Sequence, residues 1–223
     1  MGAELGRIHL DSDFAQQVTS VHARDVVPPA EIRASVTRAT GGRVFAGWRL
    51  NPYFAFEVDC AHLGKVTTGY RTFGDFPGTG PGSFTSRTFN NFEHGTEVAG
   101  PSVGMTGNLP LSADFAIFAH AAVARLRSKS SVQLATFIGI NDDRGIPDPR
   151  QSFFVGGAQF DETARQTRPV LGLGLDYGIA ERLHLRAAWN RYFDVGTPLQ
   201  TFEPQGTGRH DIDLIGVGIT FDF

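Results

Sequence analysis

The residues of this chain that are able to do chemistry are its seven histidines and a few clustered acids. The histidines are His9, His22, His62, His94, His120, His184 and His210. A catalytic serine needs a histidine base within hydrogen-bond reach, and no histidine here stands at a recognised spacing from a serine. Glu93 lies beside His94 in FEHGTE, but an adjacent pair in a polar stretch is usually solvated. We therefore predict no catalytic residues.

The acids of NDDRGIPD, residues 141–148, are the best candidates for a metal site. Carboxylates can hold a divalent cation, but this segment lacks the spaced ligands and the closing glutamate of a calcium-binding loop. The single cysteine, Cys60, cannot form an internal disulfide. It falls on an apolar face, where a thiol behaves as a small hydrophobic group. The sequence therefore predicts no metal site and no cofactor.

The segment IGVGITFDF indicates which type of secondary structure positions the polar side chains of this chain. Apolar residues occupy every second position from Ile215 to Phe223, and small or polar residues lie between them. This alternation is typical of a strand with one apolar face. A half-buried edge strand of a soluble sheet shows it too. A closed barrel in a membrane also explains why the apolar face reaches the last residue.

Strand-like segments of this kind come in pairs joined by short links. The segments are 3–10, 43–50, 53–63, 98–109, 114–126, 169–179, 182–193 and 210–223, and the polar stretches between the pairs are about 11–42, 64–97, 127–168 and 194–209. Loops this long are unusual in a compact soluble domain, whereas outer-membrane barrels combine short periplasmic turns with long extracellular loops. We predict an all-β fold, an eight-stranded antiparallel up-and-down transmembrane β-barrel that forms one domain over 1–223. Both termini are expected at the periplasmic side.

The bulk composition agrees with a barrel and excludes other classes. The net charge of −3 gives no electrostatic footprint for nucleic acid. The best apolar run, FAIFAHAAVA at 115–124, is too short for a spanning helix, which needs about 20 residues. The N-terminal MGAELGRIHL lacks the basic start and apolar core of a signal peptide. We expect either the mature part of an exported protein or a soluble protein.

Several stretches resemble the membrane domain of the outer membrane protein A (OmpA) family. The likeness is carried by FAGWRLNPYFAFEVDCAHLGK, SVGMTGNLPLSADFAIFAH, LGLGLDYGIAERLHLRAAWNRYFDVG and DIDLIGVGITFDF. The resemblance implies that Gly218, Phe221 and Phe223 form a C-terminal signal read by the outer-membrane assembly machinery. The peptidoglycan-binding domain of many relatives is not expected, because the chain stops at the barrel. Ala188 and Asn190 stand where relatives often carry acids. The interior ion-pair network of those relatives therefore does not transfer unchanged to this chain.

Charged residues on the parity opposite to the apolar one are expected to face the barrel interior. An arginine facing lipid at the bilayer midplane costs about 2–4 kcal/mol, so these side chains need another environment. The predicted interior polar network is Arg43, Arg49, Glu57, Asp59, His120, Asp176, His184 and Arg186. Eight strands enclose just enough space for side chains to fill. We therefore expect these charges to plug the barrel as ion pairs rather than to act in catalysis.

Together these patterns predict a non-enzymatic outer-membrane barrel with a structural, membrane-integrity role and surface loops for adhesion or recognition. The expected partners are outer-membrane lipid and lipopolysaccharide, the assembly machinery, and a host surface or phage ligand bound by the loops. Two alternatives stay open. A continuous water path would favour a small channel or solute-binding barrel, and a Ser–His pair at the membrane rim would favour an enzyme that modifies lipid A.

Overall fold

The computed structural model describes residues 1–11, 33–36, 39–76, 86–141, 147–196 and 209–222. These residues form nine β-strands: β1 (Gly2–Asp11), β2 (Arg33–Val36), β3 (Ala39–Asn51), β4 (Phe54–Phe76), β5 (Ser86–Pro110), β6 (Phe115–Asn141), β7 (Pro147–Ala180), β8 (Leu183–Gly196) and β9 (Arg209–Phe221). No helix within these ranges is long and apolar enough to cross a membrane.

Eight of the described strands close into an antiparallel ring. The order around the ring is β1, β3, β4, β5, β6, β7, β8 and β9, and β9 pairs with β1 again. The short strand β2 pairs with β4 from Thr68 to Arg71, beyond the point where the pairing of β4 with β3 ends. Within the closed ring every strand has a neighbour on both sides, as an all-β membrane structure requires. The predicted fold class is confirmed.

Three short turns join neighbouring strands at one end of the ring. In the turn between β3 and β4 the Asn51 side-chain oxygen accepts hydrogen bonds from the backbone amides of Tyr53 and Phe54, both at 2.8 Å. The other two turns lie at 111–114 and 181–182. All three fall at the predicted links, where turn-forming residues interrupt the alternation.

The strands continue well into two of the ranges predicted as loops, and this corrects the prediction. β4 and β5 stay paired up to Phe76 and Ser86, and β6 and β7 up to Asn141 and Pro147. Most of 64–97 and 127–168 is therefore extended hairpin. The apolar–polar contrast fades along these extensions, so the sequence alternation ends before the backbone pairing does. Residues 12–32 and 197–208, in the other two predicted loops, lie outside the described residues.

The outer surface carries an apolar belt next to the turns. On β6 its outward residues run from Ile117 to Val123, and on β7 from Leu171 to Ile179. Beyond Val123 the next outward side chain is Arg125. These runs of seven and nine residues are close to the length of about 10 residues with which a tilted strand crosses the hydrocarbon core of a bilayer. The end of the barrel opposite the turns is its upper end.

Candidate functional site in the barrel interior

A buried arginine, Arg43 on β3, organises the polar interior. Its guanidinium reaches Glu4 on β1 at 3.3 Å, and Glu57 and Asp59 on β4 at 3.1 and 3.4 Å. Glu4 was not in the predicted network, although it lies at an inward position of β1 and is buried. Its position on β1, opposite Arg43 in the strand register, completes the ion pairs of this site.

Arg186 on β8 is the second cation of the cluster. Its Nε lies 3.2 Å from Glu4, and its Nη1 lies 3.4 Å from Glu57. The guanidinium also lies over two rings, with its central carbon 4.7 Å from the Phe45 centroid and 3.8 Å from the Phe118 centroid. Desolvated contacts between a cation and aromatic rings are favourable. Arg186 is therefore held by charge and by packing.

Two hydroxyl groups and a histidine complete the interior group. Ser102 donates a hydrogen bond to Asp59, and Thr106 donates one of 3.3 Å to Glu57. His120 lies 3.6 Å from Glu57. We call the set Glu4, Arg43, Glu57, Asp59, His120 and Arg186 the charged network. Its members come from β1, β3, β4, β6 and β8, so it ties strands around the ring to one another.

Glycines make the space that these large side chains need. A Cβ on Gly174 would overlap the Phe118 ring and the carbonyl of Ala187, and a Cβ on Gly218 would overlap Glu4. The Gly174 site thus lets Phe118 lie against Arg186. Both glycines lie at inward positions of their strands, but the need for glycine depends on which side chain lies across from each of them.

Replacing Gly174 with alanine is expected to destabilise the barrel by about 1–3 kcal/mol, the usual cost of overpacking a filled interior. Gly107→Ala is the matched control, because its Cβ would meet the Phe54 ring at an ordinary 3.7 Å. Urea unfolding of both variants in lipid vesicles measures the difference. Equal free energies of unfolding would show that the barrel does not need glycine at position 174 to accommodate the Phe118 ring.

Glu57, Asp59 and His120 bring three potential metal ligands within 4.8 Å of one another. The Nη1 atom of Arg43 already lies among them, at 3.1 Å from Glu57 and 3.4 Å from Asp59 and His120. A guanidinium and a metal cation would compete for the same carboxylate oxygens. The geometry therefore fits an ion-pair cluster rather than a metal centre.

The predicted interior residues fall into two groups. Arg43, Glu57, Asp59, His120 and Arg186 belong to the charged network, as described above. The other three lie at the turn end with Asp222: His184 is 3.0 Å from Asp176 and 3.6 Å from Asp222, and Arg49 is 3.2 Å from Asp222. Arg49, Asp176 and His184 line an open cavity of about 160 Å³. This turn-end group faces solvent and does not plug the interior.

Above the charged network the interior becomes apolar. Along β6 the inward side chains are His120, then Ala122, Ala124 and Leu126, then Ser128, and all are buried. The apolar layer consists of Ile8, Ala61, Leu63, Val66, Val98, Ala122, Ala124, Leu126, Val170, Tyr192, Val195, Ile212 and Leu214. Buried apolar side chains oppose the passage of water and ions. These residues form a second level of the interior that was not predicted from the sequence.

Two residues of the predicted C-terminal signal, Gly218 and Phe221, lie on β9, the strand that closes the ring against β1. Gly218 faces inward beside Glu4, and Phe221 faces outward on the apolar belt with 40% of its surface exposed. Phe223 lies outside the described residues. Recognition by the assembly machinery remains a prediction, because it concerns a partner.

A closed antiparallel ring with an apolar outer belt and a packed polar interior defines a transmembrane β-barrel. The family model of the OmpA-like transmembrane domain matches residues 1–223. The chain belongs to this family and is therefore a β-barrel of the bacterial outer membrane. The resemblance stated from the sequence is thus confirmed.

Comparison with solved structures gives barrels of low sequence identity. Neisserial surface protein A (NspA) has a TM-score of 0.41 and 12% identity, over 100% of this chain and 97% of its own. Ail, the attachment invasion locus protein of Yersinia pestis, has a TM-score of 0.34 and 9% identity, over 100% and 97%. The calcium-bound outer membrane phospholipase (OMPLA) dimer of Salmonella typhi has a TM-score of 0.24 and 7% identity, over 99% and 90%. No curated protein matches the chain.

Proposed function

We propose that this protein is a non-enzymatic barrel that supports the outer membrane, and that its interior is closed to solutes. The supporting observation is the filled interior, in which the charged network lies beneath the apolar layer. Opposite charges linked by several contacts rarely swing aside together. Water that does enter is expected to occupy separate cavities rather than a continuous path.

The proposed orientation places both termini and the three short turns in the periplasm and the long hairpins outside the cell. Support comes from the asymmetry of the barrel. β4 to β7 extend far beyond the apolar belt at one end, while the strands end at tight turns at the other. Outer-membrane barrels have short periplasmic turns and longer extracellular loops.

The extended hairpins are proposed to serve adhesion or recognition of a host surface or phage. On β7, Phe153, Phe154 and Val155 are exposed by 64%, 64% and 57%. They lie far above the belt, near the tip of the hairpin that β6 and β7 form. Contiguous exposed apolar residues in water often mark interaction sites. Deleting the tips of the hairpins one at a time, in a binding screen of the intact barrel, tests which hairpin contacts a ligand.

Planar-bilayer recording tests the closed interior. We expect monomeric protein to leave the bilayer quiet, with rare brief openings at most, because two filled layers separate its ends. Protease protection of the same preparation verifies insertion. Frequent stable conductance steps would reject the closed barrel and favour the small channel.

The non-enzymatic part of the proposal has a separate readout. Lipid A extracted from cells that express the protein should keep the mass that it has in cells lacking it. A new lipid A species that depends on expression would contradict the proposal and favour the modifying enzyme. A hydroxyl 3.2 Å from His94 belongs to Thr96, and both of these side chains are buried inside the barrel rather than at the lipid-facing rim.

A further inference from the structure

A cluster of cations faces outward directly above the apolar belt. Arg125, Arg127 and Lys129 occupy successive outward positions of β6, and Arg165 lies beside them on β7. All four are exposed. We call these four residues the basic patch. Its first member, Arg125, comes two positions after Val123, the last outward residue of the apolar belt on β6.

The patch places two like charges face to face. Arg127 and Arg165 are direct cross-strand partners, while Arg125 and Lys129 face Thr167 and Thr163. Side chains at directly opposed positions start only about 5 Å apart, and like charges there destabilise the pair. A polyvalent anion between the two guanidinium groups would convert this repulsion into attraction.

Nearby carboxylates do not neutralise the centre of the patch. Glu97 on β5 lies opposite Lys129, and it also faces Lys65 on β4. Asp161 faces Ser131, one outward position above Lys129. Among the described residues Arg125, Arg127 and Arg165 form no ion pair. Three guanidinium groups therefore remain available to an external anion.

The height of the patch identifies the kind of anion. Side chains immediately above the belt lie at the level where the polar head groups of the lipids begin. Arginine pairs well with phosphate, because its planar donors can form two parallel hydrogen bonds. The exposed residues Phe153 and Phe154 lie higher, near a hairpin tip, where they are accessible to a ligand in the surrounding water. The basic patch lies lower, at the membrane surface, and therefore favours a ligand held in the membrane.

We propose that the basic patch is a binding site for the phosphate groups of a phosphorylated glycolipid in the outer leaflet. The choice of leaflet rests on the orientation given under the proposed function. In that orientation the patch lies on the outer side, where lipopolysaccharide presents phosphorylated sugars just above its acyl chains. The guanidinium groups of Arg127 and Arg165 would share one phosphate, and Arg125 would contact its lower side.

Native mass spectrometry of the full chain, folded in neutral detergent, tests the site with bisphosphorylated lipid A as the probe. One arginine near an anionic lipid surface contributes about fivefold to binding. Arg127→Gln and Arg165→Gln are each expected to weaken lipid A binding about fivefold, and the double variant about 25-fold. Arg182→Gln, in the turn after β7, is the control for loss of one exposed charge and should bind as the unchanged protein does.

A second readout separates binding from a general loss of stability. Because Arg127→Gln relieves repulsion, it should leave thermal unfolding in neutral detergent unchanged or shifted upward. In detergent with added lipid A, the unchanged protein should gain more stability than the variant.

Three results would overturn the proposal. They are equal binding of dephosphorylated lipid A, stronger binding of phosphatidylglycerol, and full competition by inorganic phosphate. Conductance and lipid A binding are measured in separate experiments. A barrel that conducts ions but still binds lipid A through these arginines would reject the closed interior and leave the lipid-binding site standing.

Discussion

Replacing Arg186 with leucine is expected to lower the free energy of unfolding by about 3–5 kcal/mol, the cost of removing one partner from a buried ion pair. Arg186 is buried and contacts Glu4 and Glu57 at 3.2 and 3.4 Å. Without it, three buried carboxylates of the charged network share Arg43 as the remaining arginine. The rings of Phe45 and Phe118 also lose the Arg186 guanidinium that lies over them.

Urea titration of the protein in lipid vesicles measures this loss. Arg182→Leu is the matched control, because Arg182 is exposed in a turn and a surface change usually costs within about 0.5 kcal/mol. Arg186→Lys retains the charge but loses the planar stacking, so it should fall between the two. If Arg186→Leu and Arg182→Leu unfold at the same urea concentration, the charged network does not stabilise the barrel.

Deleting Phe223 is expected to reduce the folded protein in the outer membrane of cells severalfold, while purified protein still refolds in detergent. The reason is the terminal pattern of Gly218, Phe221 and Phe223, which resembles the signal read by the assembly machinery. Refolding should survive, because β9 pairs with β1 from Thr220 down to Asp211. The ring therefore closes through residues other than Phe223.

Surface labelling of cells and heat-modifiable gel mobility of the refolded protein provide the two measurements. Phe223→Tyr retains an aromatic end and should assemble normally. Normal surface levels of the deletion variant would remove the argument for a signal. Failure to refold in detergent would assign Phe223 a structural role instead.

The residues of the basic patch can be read from the sequence, but the fact that they lie side by side cannot. Arg127 stands at the start of the polar stretch 127–168 that the sequence predicts as a loop, where a single charge has little significance. The structure places it on a continuous strand, directly opposite Arg165. These residues lie 38 positions apart in the chain, so only the register of β6 against β7 brings their charges together.

The alternation of residue types by itself determined much of this protein. It predicted the strands of the membrane region, the three short turns and the face on which each side chain lies, because a strand repeats every two residues. For this reason Arg43, Glu57 and Arg186 were expected inside the barrel, and they are buried there. The closing strand and the hairpins were also enough to identify the family.

Only the tertiary structure decided how high each inward side chain lies and what it meets. Parity gives a face but not a height, since height depends on strand tilt and on the stagger with which the ring closes. That stagger places Glu4 beside Arg43 and leaves Arg49, Asp176 and His184 at the open turn end. It also stacks an apolar layer above the charges. Strand pairing beyond the membrane was equally hidden, because in water neither face of a hairpin has to be apolar.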